Sequence, residues 1–111
     1  MAMTNKKDQA LKHLEHELPE RVMKALRKVA EKYKSKGIRL FIFGSFAKES
    51  NRSNSDLDIG IEWRKEHSHH IYRNIREDIW NLPTIRKIDL VDMSKASPDF
   101  RDESKNERIY L

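Results

Sequence analysis

The chain has 111 residues, enough for one domain over 1–111 but not for a second independent core, and a formal net charge of +5 from 23 Lys and Arg against 18 Asp and Glu. It has no cysteine, which excludes disulfides, thiolate zinc sites and thiol nucleophiles and suits a reducing cytoplasm. No apolar run approaches the ~20 residues that span a bilayer and no signal peptide opens the chain, so no membrane role is expected.

Residues 1–18 read as a polar, frayed extension, with Leu11 and Leu14 hinting at a short, weakly packed helix over 6–16. Pro19 stands where a helix can begin, because a missing N–H costs nothing in the first turn. Val22, Met23, Leu26, Val29, Ala30 and Tyr33 then recur at helical spacing, and Gly37 reads as the stop. Ile38 to Phe43 is an apolar run of β-formers, predicting a buried strand. From Gly44 to about Glu49 the pattern predicts a short helix, and Asn51 to Ser55 has the composition of a turn. Leu57 to Trp63 alternates with Asp58, Gly60 and Glu62, as a strand with one polar face does. Ser68 is placed to cap a helix whose stripe is Ile71, Tyr72, Ile75, Ile79 and Leu82, ended by Pro83. Ile85 to Val91 predicts a third strand, with Asp89 opposite its apolar neighbours. A last helix follows Ser97-Pro98 toward Arg108, and the chain closes on Ile109-Tyr110-Leu111. The order is α-α-β-α-β-α-β-α, an α/β fold with a small sheet flanked by helices.

The chemistry concentrates between residues 43 and 58. Gly44-Ser45 ends an apolar strand and leads toward a helix, so backbone N–H groups there are turned to whatever lies beyond, an arrangement that attracts phosphate. Ten residues later come Asp56 and Asp58, which the period of two puts on one face of a strand. Two such carboxylates repel unless a cation lies between them, and Mg²⁺ suits carboxylates shared with substrate phosphates. Asp89 adds a third carboxylate within a strand, where an unpartnered charge is costly. Three acids on adjacent strands can hold two ions, and Asp89 is placed to take a proton from an acceptor hydroxyl; Asp92, at the strand end, is the second choice.

Gly44-Ser45, ten residues, Asp56-Leu57-Asp58 and a later Ile88-Asp89-Leu90-Val91 strand together resemble the nucleotidyltransferase superfamily of the DNA polymerase beta type. The resemblance covers about residues 20 to 111, and the short length resembles the minimal nucleotidyltransferases, many of them antitoxins encoded beside a HEPN toxin. It implies that Gly44 and Ser45 bind the triphosphate and that Asp56, Asp58 and Asp89 hold Mg²⁺. The implied reaction moves AMP from ATP to a hydroxyl, such as a tyrosine of the HEPN partner, with a partner or a second copy supplying the surface that presents the acceptor. Phe46 and Glu49 stand where the family often has arginine and glycine; Lys48 and Arg52 are the compensating phosphate ligands, or else solvated loop charges.

Three other readings compete. An antitoxin could neutralise its partner by binding alone, its site idle. The basic surplus could serve RNA, although no zinc-knuckle spacing or aromatic RNA-binding motif accompanies it. A small-molecule acceptor lacks any recognisable binding segment. His67, His69 and His70 read as surface residues at a helix start rather than a metal set. Trp63 and Trp80 read as core or partial core, and Tyr72 and Tyr110 as packing residues, Tyr110 alternatively as an interface contact.

Overall fold

The computed structural model describes residues 18–44, 56–66, 68–106 and 108–111. The expected helices over 6–16 and 44–49 lie, wholly or all but Gly44, outside these residues.

Helix α1 (Glu20–Lys34) buries Val22, Met23, Leu26, Ala30 and Tyr33, the stripe its sequence repeats. The chain leaves it through Gly37, whose φ of 79° is a left-handed conformation that costs other residues energy. Strand β1 (Ile38–Phe43) runs antiparallel to β2 (Leu57–Trp63), both with the expected bounds. Helix α2 (His69–Trp80) starts at Ser68, whose side chain accepts from the Ile71 N–H. Strand β3 (Ile88–Asp92) pairs parallel with β2, as a strand–helix–strand crossover allows. A short 3₁₀ turn (Met93–Lys95), helix α3 (Pro98–Lys105) and strand β4 (Ile109–Tyr110) follow, β4 pairing antiparallel with β1. The result is a mixed four-stranded sheet in the order β3-β2-β1-β4.

The alternation of each strand divides the molecule into two layers of side chains. Leu40, Ile42, Leu57, Ile59 and Ile61 pack with Met23, Leu26 and Tyr33 of α1 and Ile75 and Ile79 of α2. On the other face Phe41 and Phe43 pack with Met93, Val91 and Tyr110. Gly60 is required there, because any β-carbon on it would strike the Phe41 ring. Arg108, 4% exposed, lies over the same ring with its guanidinium carbon 4.4 Å from the centroid. Glu62 receives a 2.5 Å hydrogen bond from the Tyr110 hydroxyl and a 3.4 Å contact from Arg108.

Three expectations change. The third strand begins at Ile88, not Ile85, and Ile85 is fully exposed in the turn before it. Trp80 is 86% exposed at the end of α2 rather than in the core, whereas Trp63 is partly buried. Ile109 and Tyr110, read as a closing apolar stretch, form a strand that completes the sheet.

Candidate active site

Strand pairing alone brings the key residues together. Asp58 lies opposite Phe43 in the antiparallel β1–β2 register and opposite Asp89 in the parallel β2–β3 register. The next residue after Phe43 is Gly44, with a φ of 77°. A β-carbon there would fall on the Asp58 carboxylate, so a side chain at 44 and the acid at 58 exclude one another. The Gly44 turn, Asp58 and Asp89 thus meet at one end of the sheet, on the face that carries Phe43.

These residues open on a cleft of about 560 Å³. Its other walls come from Val91 of β3 and from Phe100, Glu103 and Ser104 of α3. Phe100 stands edge-on to Phe43 with ring centroids 5.9 Å apart. The contribution of α3 was not foreseen, and the one available signal was Phe100, an aromatic residue on an otherwise polar helix.

The electrostatics match the geometry. Burial pushes the Asp58 carboxyl above its ordinary value, and the negative charges of Asp89 and Asp56 push it further. Asp56 is nevertheless arranged differently from the other two. It precedes β2 instead of lying within it, and its carboxylate is 3.8 Å from Lys87 Nζ. Among the described residues no three His, Asp or Glu side chains gather closely enough to form a ready metal cage. Asp58 and Asp89 are thus adjacent in register, and Asp56, whose charge also acts on Asp58, stands beside them next to Lys87. Two adjacent carboxylates at a cleft are a suitable donor set for a hard divalent ion that also takes oxygens from substrate phosphates.

Asp92 has a different task. It accepts from Trp63 Nε1 at 2.8 Å, from the Ser94 N–H at 2.9 Å and from the Ser94 hydroxyl at 2.6 Å, so it caps the 3₁₀ turn and anchors the indole. Ser45, Lys48 and Arg52, with Phe46 and Glu49, lie outside the described residues. His69 and His70 are exposed at the start of α2, and His67 lies outside the described residues. Among the described residues no helix is long and apolar enough to cross a membrane.

No curated protein sequence matches this chain. A solved protein from Sulfolobus solfataricus, described as a candidate nucleotidyltransferase, is similar at 16% identity and a TM-score of 0.44, covering 99% of this chain and 89% of that one. The family model for "Polymerase beta, Nucleotidyltransferase" matches residues 24–111, a span that includes all four strands and the Gly44, Asp58 and Asp89 cluster. The chain belongs to the polymerase beta nucleotidyltransferase family.

Proposed function

We propose that this protein is a Mg²⁺-dependent nucleotidyltransferase that moves AMP from ATP to a hydroxyl on a partner protein, as the antitoxin of a HEPN toxin. The observation that carries the catalytic part is the in-register Asp58–Asp89 pair beside the left-handed Gly44. Bound by these carboxylates and the substrate phosphates, Mg²⁺ neutralises charge on the triphosphate, which is most of what phosphoryl transfer asks of a protein. Gly44 lets phosphate approach the backbone, and Ser45, Lys48 and Arg52 are the assigned donors to its oxygens. Asp89 is assigned as the base. The acceptor oxygen bonds to the α-phosphorus, the bond to pyrophosphate breaks, and the hydroxyl proton passes to Asp89 and then to solvent. The resemblance to minimal nucleotidyltransferases supports a HEPN toxin as the partner.

One observation favours a second reading. Asp56 is engaged by Lys87 and not gathered with the other two acids, as suits a protein that neutralises its partner by binding while the site is idle. Incubation with labelled ATP, Mg²⁺ and the neighbouring gene's protein, read by intact mass, separates the two. A gain of AMP units on the partner, lost in Asp58→Asn/Asp89→Asn, supports transfer. A stable complex without mass gain supports binding alone.

A further inference from the structure

Helix α2 turns a narrow stripe of cations and one aromatic ring to solvent. Arg73, Arg76, Glu77 and Trp80 follow the three- and four-residue steps that share one helix face, and all four are exposed. Together they line a depression of about 600 Å³ that has no residue in common with the acidic cleft. Trp80 is 86% exposed, which leaves most of its indole uncovered. Neither Arg73 nor Arg76 has an ion-pair partner among the described residues, and Glu77 is the single acid lining the depression.

The two guanidinium groups call for anions, and the indole calls for a flat π-system. Along the helix axis Trp80 is about 6 Å from Arg76 and about 10.5 Å from Arg73, so both demands fall on neighbouring units of one molecule. We infer that this depression binds single-stranded nucleic acid, with a base stacked on Trp80 and the adjoining phosphates on Arg73 and Arg76. Stacking on an aromatic side chain accepts any base, and arginine pairs with phosphate through two parallel bonds. The net charge of +5 draws a polyanion toward the protein before contact. A duplex is a poor occupant, because its base faces are already stacked on one another. An acidic peptide satisfies the arginines but offers the indole no ring. A folded protein partner is also a poor fit: the large apolar side chains exposed in this region are Trp80 and Ile85, whereas a stable interface needs an apolar core within about 800 Å² on each side. The inference goes beyond the transferase reading and takes nothing from it, since no acid of the cleft takes part.

The test is titration of the full-length protein with short oligouridine and oligothymidine, followed by tryptophan emission and by anisotropy of the labelled oligomer. Both oligomers are expected to bind and to quench Trp80, because neither the stacking nor the phosphate contacts depend on the sugar. Trp80→Ala should weaken binding about tenfold or more and abolish the quenching, leaving the emission of Trp63, whose indole N–H is held by Asp92. Trp80→Phe should restore part of the affinity. Arg73→Gln and Arg76→Gln should each reduce the slope of log K against log salt by about 0.7, one phosphate contact apiece, and Glu77→Gln should tighten binding. All four side chains are exposed, so circular dichroism should not change. Equal affinity for a duplex of the same length or for polyglutamate, or binding indifferent to Trp80→Ala, would overturn the proposal. So would binding to phosphatidylserine vesicles that Trp80→Ala abolishes, or a dimer in sedimentation that the same change dissolves. An oligomer displaced by ATP and Mg²⁺, or lost in Asp58→Asn/Asp89→Asn, sits in the acidic cleft and overturns it as well. Binding kept in that double variant supports this surface, whatever the transfer assay shows.

Discussion

The Asp58 carboxylate occupies the space that a β-carbon on Gly44 would need. Substituting Gly44→Ala therefore meets two costs: a left-handed φ that other residues adopt at about 1–2 kcal/mol, and displacement of the acid. Urea unfolding should show a loss of at least about 1 kcal/mol. ATP-dependent transfer should fall by more than the unfolded fraction explains, because Asp58 is moved in every folded molecule.

Asp58→Asn should have opposite effects on stability and activity. The folded protein holds this carboxyl above its ordinary value of 3.8, through burial first and the charges of Asp89 and Asp56 next. A raised folded pKa means that the ionised form is disfavoured by folding, so the penalty is full at neutral pH. It is relieved as pH falls through the raised value toward 3.8. Thermal unfolding without divalent ions should give Asp58→Asn a Tm about 2–4 °C above the wild type near pH 7, converging as pH is lowered. Added Mg²⁺ or Mn²⁺ should raise the wild-type Tm and leave the variant little changed.

Tyr33→Phe should reveal a polar tie between the two helices that cover the sheet. The Tyr33 hydroxyl donates to Asp78 at 2.5 Å, and Lys32 Nζ reaches the same carboxylate oxygen at 3.0 Å. Partial burial pushes the Asp78 pKa up, but the hydrogen bonds from Tyr33 and Lys32 outweigh it and leave the carboxyl below its ordinary value. A lowered folded pKa contributes stability above the unfolded value that is lost as pH falls through the folded one. Removing the hydroxyl should cost about 1 kcal/mol at pH 7, and the gap to the wild type should narrow in acid.

Asp92→Ala should act on stability and not on the site. Its carboxylate serves Trp63 and both donors of Ser94, so truncation removes three hydrogen bonds from a partly buried indole and a turn. A loss of about 2–3 kcal/mol in urea is expected, with a red-shifted tryptophan emission. Transfer per folded molecule should be kept, in contrast to Asp89→Asn three residues away.

Much of this arrangement was legible because strands and helices repeat with different periods. Ile38–Phe43 and Leu57–Trp63 were bounded by Gly37, Gly44 and a polar loop, and their alternation already placed Asp58 apart from the apolar face. Ser68 was readable as a cap because its bond to Ile71 N–H is local. What escaped depends on contacts between distant segments. The contact of Asp56 with Lys87, 31 residues later, is one that no local pattern announces. The Ile109–Tyr110 ladder exists only because β1 offers it an edge, and a two-residue strand carries no period of its own. Ile85 counts toward the third strand and Trp80 toward the core on apolar character alone, which says nothing about whether a neighbouring element covers them.

The position of β2, antiparallel to the strand that delivers Gly44 and parallel to the one that carries Asp89, has a practical consequence. A slip of one residue on either side would turn Asp58 toward the helices and Leu57 toward the cleft. No half-assembled sheet can therefore hold a half-competent site. Partial denaturation should lower the number of working molecules while each survivor keeps its KM. Turnover per milligram, compared between preparations, then becomes a direct gauge of how much of the protein is correctly folded.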